Sequence, residues 1–175
     1  MSDNLSFPIG KFKRLPSLNE AEWQAAIDSL ASHPVRFRAA LTGLDDQQLD
    51  TPYRPGGWTV RQLAHHVPDS HMHMYIRLKL ALTEDSPTVK TYDQDAWARL
   101  PDVRTVPITT SLLILDAVHE RVNAVLRTVS VAERQRIFMH PDNGSTRVDQ
   151  LAALYAWHGD HHVAHVQNLR VRMGW

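Results

Sequence analysis

Four long stretches with helical spacing of apolar residues, separated by loops rich in Pro, Gly and Asp, direct this chain to an all-α fold, a four-helix bundle. The first helix is read from just after Ser17 to about Leu41, with Pro34 as a bend or interruption and Gly43 near its end. Thr59 followed by Gln62 has the form of a capping box, so the second starts there and continues, kinked at Pro68, to about Thr83. The third spans roughly Ile108 to Val129 and the fourth runs from about Val148 to Met173. The connection "DDQQLDTPYRPGGW" reads as an ordered loop, and the tripeptide "HPD" at His140 to Asp142 as another. Between the second and third helices lies the long loop "EDSPTVKTYDQDAWARLPDVRTVP", with one helical turn at Asp93 to Leu100. A connection of that length in a compact domain is a cover or a lid, and Tyr92 and Trp97 give it apolar anchors.

Composition narrows the function classes. With 43% hydrophobic residues and neither a repeat nor a change of composition, residues 1–175 form a single domain with one respectable core. Lys and Arg number 19, as do Asp and Glu, so no basic excess is available to hold a phosphate backbone, and nucleic acid is not an expected partner. No apolar run approaches the ~20 residues of a membrane span, and the first residues lack the apolar stretch of a secretion signal. The expectation is a cytoplasmic protein acting on a small molecule. There is no cysteine, so any metal must be held by nitrogen and oxygen.

The fourth helix carries the chemistry. In "YAWHGDHHVAHV", four of the chain's 11 histidines fall within eight positions, and burying imidazoles is costly unless their nitrogens find partners. At 100° per residue, Leu151, Tyr155, His158, His162, Val166 and Leu169 share an arc of about 80°, placing two histidines in the core stripe. His158 and His162 are one turn apart, which lets two imidazoles converge on one ion. By the same count His161 lies about 100° from the centre of the stripe, and His165 falls just outside its edge. A third ligand has to come from another helix. The second offers His65, His66, His71 and His73, among which periodicity does not choose because Pro68 disturbs the phase. His119, followed by Glu120 and Arg121, reads as a surface or boundary residue.

"GGWTVRQLAHHVPDSH" together with "YAWHGDHHVAHV" resembles the DinB superfamily, particularly its YfiT-like branch of metal-dependent hydrolases. The similarity extends over nearly the whole chain, through "LSFPIGKFK", "LDTPYRPGGWTVRQ", "YIRLKLALTED", "YDQDAW", "HPD" and the terminal "RMGW". The resemblance implies a four-helix bundle with a metal site made by one histidine of the second helix and an H-x-x-x-H pair of the fourth. Matched by position these are His66, on the second histidine of "AHHVPD", and His158 with His162, the pair already in the core stripe. Many members of the wider superfamily continue from the last ligand with Arg-Gly-Gln, whereas "HHVAHV" here follows the YfiT pattern.

Three neutral imidazoles leave an ion at least one open position, as in catalytic rather than structural sites. One divalent ion per chain is expected, zinc first and nickel as the alternative, since imidazole suits both. With no cofactor beyond the metal, the leading expectation is a hydrolase using metal-activated water. The resemblance to bacillithiol-using relatives implies a second chemistry, a transferase joining a low-molecular-weight thiol to an electrophile. A third reading is a non-catalytic, stress-related bundle that the metal fastens. Asp69, three residues after His66, is the candidate to orient a ligand imidazole or accept a proton. Resemblance to dimeric YfiT-like proteins implies a homodimer, with the terminal Trp175 as a contact, and the long loop is expected to line the mouth of the site.

Overall fold

A computed structural model of the chain describes residues 5–175, so the first four positions, on which part of the reading of the N-terminus falls, lie outside the described residues. Four long helices build the fold: α1 (Glu20–Leu41), α2 (Val60–Thr83), α3 (Ile108–Leu126) and α4 (Val148–Met173). The start of α2 is set as expected, Thr59 accepting from the Gln62 N–H while the Gln62 side chain accepts from the Thr59 N–H. Asn19 and Glu22 do the same for α1. At its other end α1 stops two residues before Gly43, whose φ of 80° suits a residue without Cβ. Both α1 and α2 pack on α3 and α4, so chain neighbours α1 and α2 sit across the diagonal.

The structure corrects the sequence reading at the first proline, at the end of the third helix and at the "HPD" tripeptide. Pro34 does not interrupt α1, and α2 runs on through Pro68. Proline removes the N–H that would bond the carbonyl four residues earlier, and for Pro34 that carbonyl, on Leu30, is satisfied from outside by Nδ1 of His119 at 2.8 Å. The third helix ends at Leu126, short of Val129. His140 to Asp142 belongs to an antiparallel hairpin, β1 (Ile137–His140) with β2 (Gly144–Arg147), in which Phe138 pairs with Thr146. Strands of four residues are too short to show alternation. Trp175 packs against the chain's own core, its N–H bonded to the Arg170 carbonyl.

The long loop is anchored at both of its expected aromatic residues. Tyr92 stacks on His73 of α2 at 4.3 Å between ring centroids, and Trp97 meets Tyr92 at 4.6 Å. A hydrogen bond from the Val89 N–H to the Met139 carbonyl, and one from the Met139 N–H to the Pro87 carbonyl, tie the loop to the hairpin. Among the described residues no helix is long and apolar enough to cross a membrane.

The core is split. One apolar cluster, including Trp23, Leu30, Leu78, Leu126 and Leu151, fills one end, and a second, including Phe37, Leu63, Leu115 and Val166, fills the other. Between them lie imidazoles from all four helices, His33, His71, His119 and His158, with ring centroids about 5 Å apart in sequence: His33 to His71 5.0 Å, His71 to His119 4.9 Å and His71 to His158 5.3 Å. Gly159 makes room for this layer, because a Cβ there would meet Nδ1 of His33 at 2.6 Å and two ring carbons at 2.9 Å. Alanine normally favours a helix interior over glycine by about 1 kcal/mol. Gly159→Ala is nevertheless expected to destabilise the fold by roughly 1–3 kcal/mol through overpacking, seen as a lower urea midpoint, and His33→Ala in the same chain should recover part of the loss.

Candidate metal centre

His66 from α2 and His158 and His162 from α4 come together at one edge of the imidazole layer. Their ring centroids are 5.5, 5.2 and 4.4 Å apart, and one nitrogen of each lies within 4.8 Å of the other two. The Nε2 atoms of His158 and His162 are 3.1 Å apart. Two imidazoles bonded to one ion at 2.0–2.1 Å in tetrahedral geometry would hold their nitrogens roughly 3.3 Å apart, so the pair is close to ligating separation. Burial is the main cause holding His66 down to about 4 and His158 and His162 well below the ordinary imidazole range, with like charge among the rings adding to the effect for His158 and His162. All three are neutral at physiological pH, the state in which imidazole binds metal.

Two further groups of histidines have comparable spacing, His33 with His71 and His119, and His161 with His162 and His165. In the first, nitrogens are already committed: Nδ1 of His71 lies 2.7 Å from Nε2 of His119, whose Nδ1 meets the Leu30 carbonyl. Both nitrogens of His33 lack a partner, but all three rings are at most 1% exposed, so the group is closed to solvent. The second group would have to use the same His162. His66, His158 and His162 all border one cavity. That cavity, of about 430 Å³, is also lined by Trp58, Gln94 and Asp95, so the long loop does contribute to its wall. Asp95 accepts a hydrogen bond from the Trp58 indole at 2.9 Å. Among the described residues no fourth ligand joins the three histidines.

Asp69 is half-buried on α2, outside the residues that line that cavity; burial, helped by the charge of Asp102, pushes its carboxyl up to about 6. His161 and His165, which helical phase sets off the core stripe, are both buried, His161 beneath Phe7 and Trp157 and His165 against Tyr53. Segments before α1 and α2 cover that flank, a contact that helical phase alone does not carry. His119 is buried as well, and only its partners on α1 and α2 explain why.

A second cavity, of about 470 Å³, shares His158 and Gln94 with the first and reaches Arg77 on α2. Arg77 is 8% exposed, and its Nε has no hydrogen-bond partner. Its terminal nitrogens donate at 3.3 Å to the Tyr155 hydroxyl and to the Lys90 carbonyl, and among the described residues it forms no ion pair. This neighbouring cavity, bordered by His158, thus also touches a buried cation with donor capacity to spare.

A four-helix bundle with three neutral imidazoles converging beside an open cavity places the chain among helical bundles whose interior could hold a metal ion. Within that class the chain belongs to the DinB superfamily, whose profile matches residues 29–166. It is 45% identical over 173 residues to a Bacillus cereus protein named "Putative metal-dependent hydrolase", with 99% of each chain covered, and equally identical over 172 residues to a Bacillus mycoides protein of the same description. Among solved structures it is similar to YfiT from Bacillus subtilis, described as a probable metal-dependent hydrolase with an unusual four-helix bundle topology. That match has a TM-score of 0.95 and 44% identity and covers 98% of this chain and 99% of the other.

Proposed function

We propose that this protein is a metal-dependent hydrolase in which His66, His158 and His162 hold one divalent ion, zinc by preference. The observation that carries the reading is the convergence of three neutral imidazoles on a cavity wall with no fourth ligand beside them. Such an ion, when bound, supplies Lewis acidity that brings the pKa of a water in its open position towards neutrality. The chain's own groups do the rest. Asp95, held by the Trp58 indole in the same wall, is placed to take up a proton, a role that fits it better than Asp69. Arg77, buried without a counter-ion among the described residues in the wall of the neighbouring cavity, favours a substrate that carries an anionic group away from its scissile bond.

The test is turnover by the zinc-loaded protein in two arms. One offers esters and amides, with and without a carboxylate at the far end, in the absence of thiol. The other offers low-molecular-weight thiols with an electrophilic acceptor. Hydrolysis in the first arm, faster for the anionic substrates, is the expected result. Turnover confined to the second arm would replace hydrolysis by thiol transfer, and a protein that binds zinc but is inert in both would be a bundle that the metal merely fastens.

A further inference from the structure

The imidazole layer does more than fill the space between two apolar clusters. It contains one continuous line of hydrogen bonds that starts on the main chain of α1 and ends on His158. The Leu30 carbonyl can only accept, so Nδ1 of His119, 2.8 Å away, must carry the proton. In a neutral imidazole the other nitrogen is then bare, and burial holds His119 down to about 4, so the ring is neutral. Nε2 of His119 is therefore an acceptor, and its neighbour at 2.7 Å, Nδ1 of His71, must be the donor. His71 is 0% exposed with no carboxylate partner, a setting in which an imidazolium is too costly, so the ring is neutral and its Nε2 is bare in turn. The atom facing that Nε2 at 3.2 Å is Nδ1 of His158, which must bring the proton. Each assignment follows from the preceding one.

We propose that the Leu30 carbonyl, His119 and His71 form a positioning relay that locks His158 in the Nδ1–H tautomer and so keeps its Nε2 lone pair directed to the metal centre. The proposal rests on the assignment of His158 as a ligand, and adds what orients that ligand. A ligating histidine whose second nitrogen donates to a fixed acceptor is held in tautomer and ring angle, and becomes a better base for the ion. Here the fixed acceptor is another imidazole, and the origin of the polarity is a proline. Pro34 has no N–H to offer the Leu30 carbonyl four residues earlier, and that leaves the carbonyl free to anchor the relay. His162 has no such support, since its Nδ1 is buried without a partner. The two ligands of α4 are thus unequal: the outer nitrogen of one is held through three helices, and that of the other meets no partner.

The tautomers can be read directly, without metal and without activity, from long-range proton–nitrogen correlation spectra of the apo protein labelled with ¹⁵N-histidine near pH 7.5. His119, His71 and His158 are expected to carry their protons on Nδ1, although a free neutral imidazole in water prefers the opposite tautomer. A proton on Nε2 of His158 would overturn the proposal. His119→Ala removes the acceptor for His71; it should release both downstream tautomers and weaken zinc binding about 10–100-fold, the usual cost of losing an outer partner of a ligating histidine. His119→Gln returns an oxygen near the position of the lost Nε2, and should restore both the tautomer pattern and most of the affinity. Unchanged tautomers and zinc affinity in His119→Ala would show that the relay has no hold on His158. If His119→Ala does not fold, the wild-type spectrum and His119→Gln still decide. A wild-type spectrum with the expected tautomers but no zinc binding would uphold the lock and sink the metal assignment instead, so the two can fail separately.

Discussion

Acidification of the metal-free protein from pH 7 to pH 5 is expected to unfold it in one steep transition. All 11 histidines have pKa values lowered by the fold, with burial the largest cause in each. Seven of them, His33, His66, His71, His119, His161, His162 and His165, are at most 7% exposed and are held at about 4 or well below the usual range. For a base whose folded pKa is depressed, the unfolded chain binds the proton first. The stability is complete above the unfolded value near 6.5 and is lost as pH falls towards the folded values. Each such imidazole contributes up to about 1.4 kcal/mol per pH unit in that window, so seven together give an upper limit of roughly 10 kcal/mol per pH unit. That is comparable to the whole stability of a typical domain, 5–15 kcal/mol, and places the midpoint between roughly pH 5 and pH 6. Circular dichroism and tryptophan fluorescence of the apo protein against pH would measure it. Retention of the native spectrum and melting temperature at pH 4.5 would show that the rings are far more accessible to protons than the fold makes them. Excess zinc should move the transition to lower pH, because ligation competes with protonation.

How much of this was legible in the sequence depends on whether the information was local. Thr59 and Gln62 mark the start of α2 because a capping box is four residues long, and His158 with His162 stand out because i, i+4 spacing and the apolar stripe coincide on one helix. The resemblance to the DinB superfamily added His66, which periodicity alone left tied with three neighbours, and the structure brings that histidine, rather than His65 or His73, to the α4 pair. His65 instead meets the Ser111 hydroxyl at 2.7 Å, and His73 stacks under the loop. What stayed hidden was whatever needs two or more distant segments. His119 reads as a boundary residue until α1 and α2 supply the Leu30 carbonyl and His71. Asp95 is one acid among several in a long loop until Trp58 fixes it in the cavity wall. Pro34 looks like an interruption, and only the crossing of α3 over α1 shows where its freed carbonyl goes. The counter-signal available in the sequence was the number of histidines on helical segments, more than one metal site could use.

Single alanine variants should separate the two histidine groups that share His162. His66→Ala and His158→Ala are each expected to weaken zinc binding by more than about 100-fold, beyond the upper end of what an outer partner costs, and to abolish turnover with it. His162→Ala should do the same, but does not discriminate, since the ring belongs to both groups. The deciding pair is His161→Ala and His165→Ala, which remove two members of the alternative group and leave the proposed centre intact. Both should keep zinc close to one ion per chain by metal analysis. Loss of zinc in these two, with retention in His66→Ala and His158→Ala, would move the centre one step along α4 and away from the bundle interior. The variants should also differ in stability. His158→Ala takes away the donor that satisfies Nε2 of the buried His71, leaving an acceptor orphaned at a cost of about 1–3 kcal/mol. His162→Ala also takes a partner, 3.1 Å away, from Nε2 of His158, but that nitrogen lies on a ring bordering the cavity, where water can replace the donor, so the penalty is smaller. In the apo state His158→Ala should therefore melt lower than His162→Ala, because the acceptor it orphans, on His71, is 0% exposed and out of reach of water.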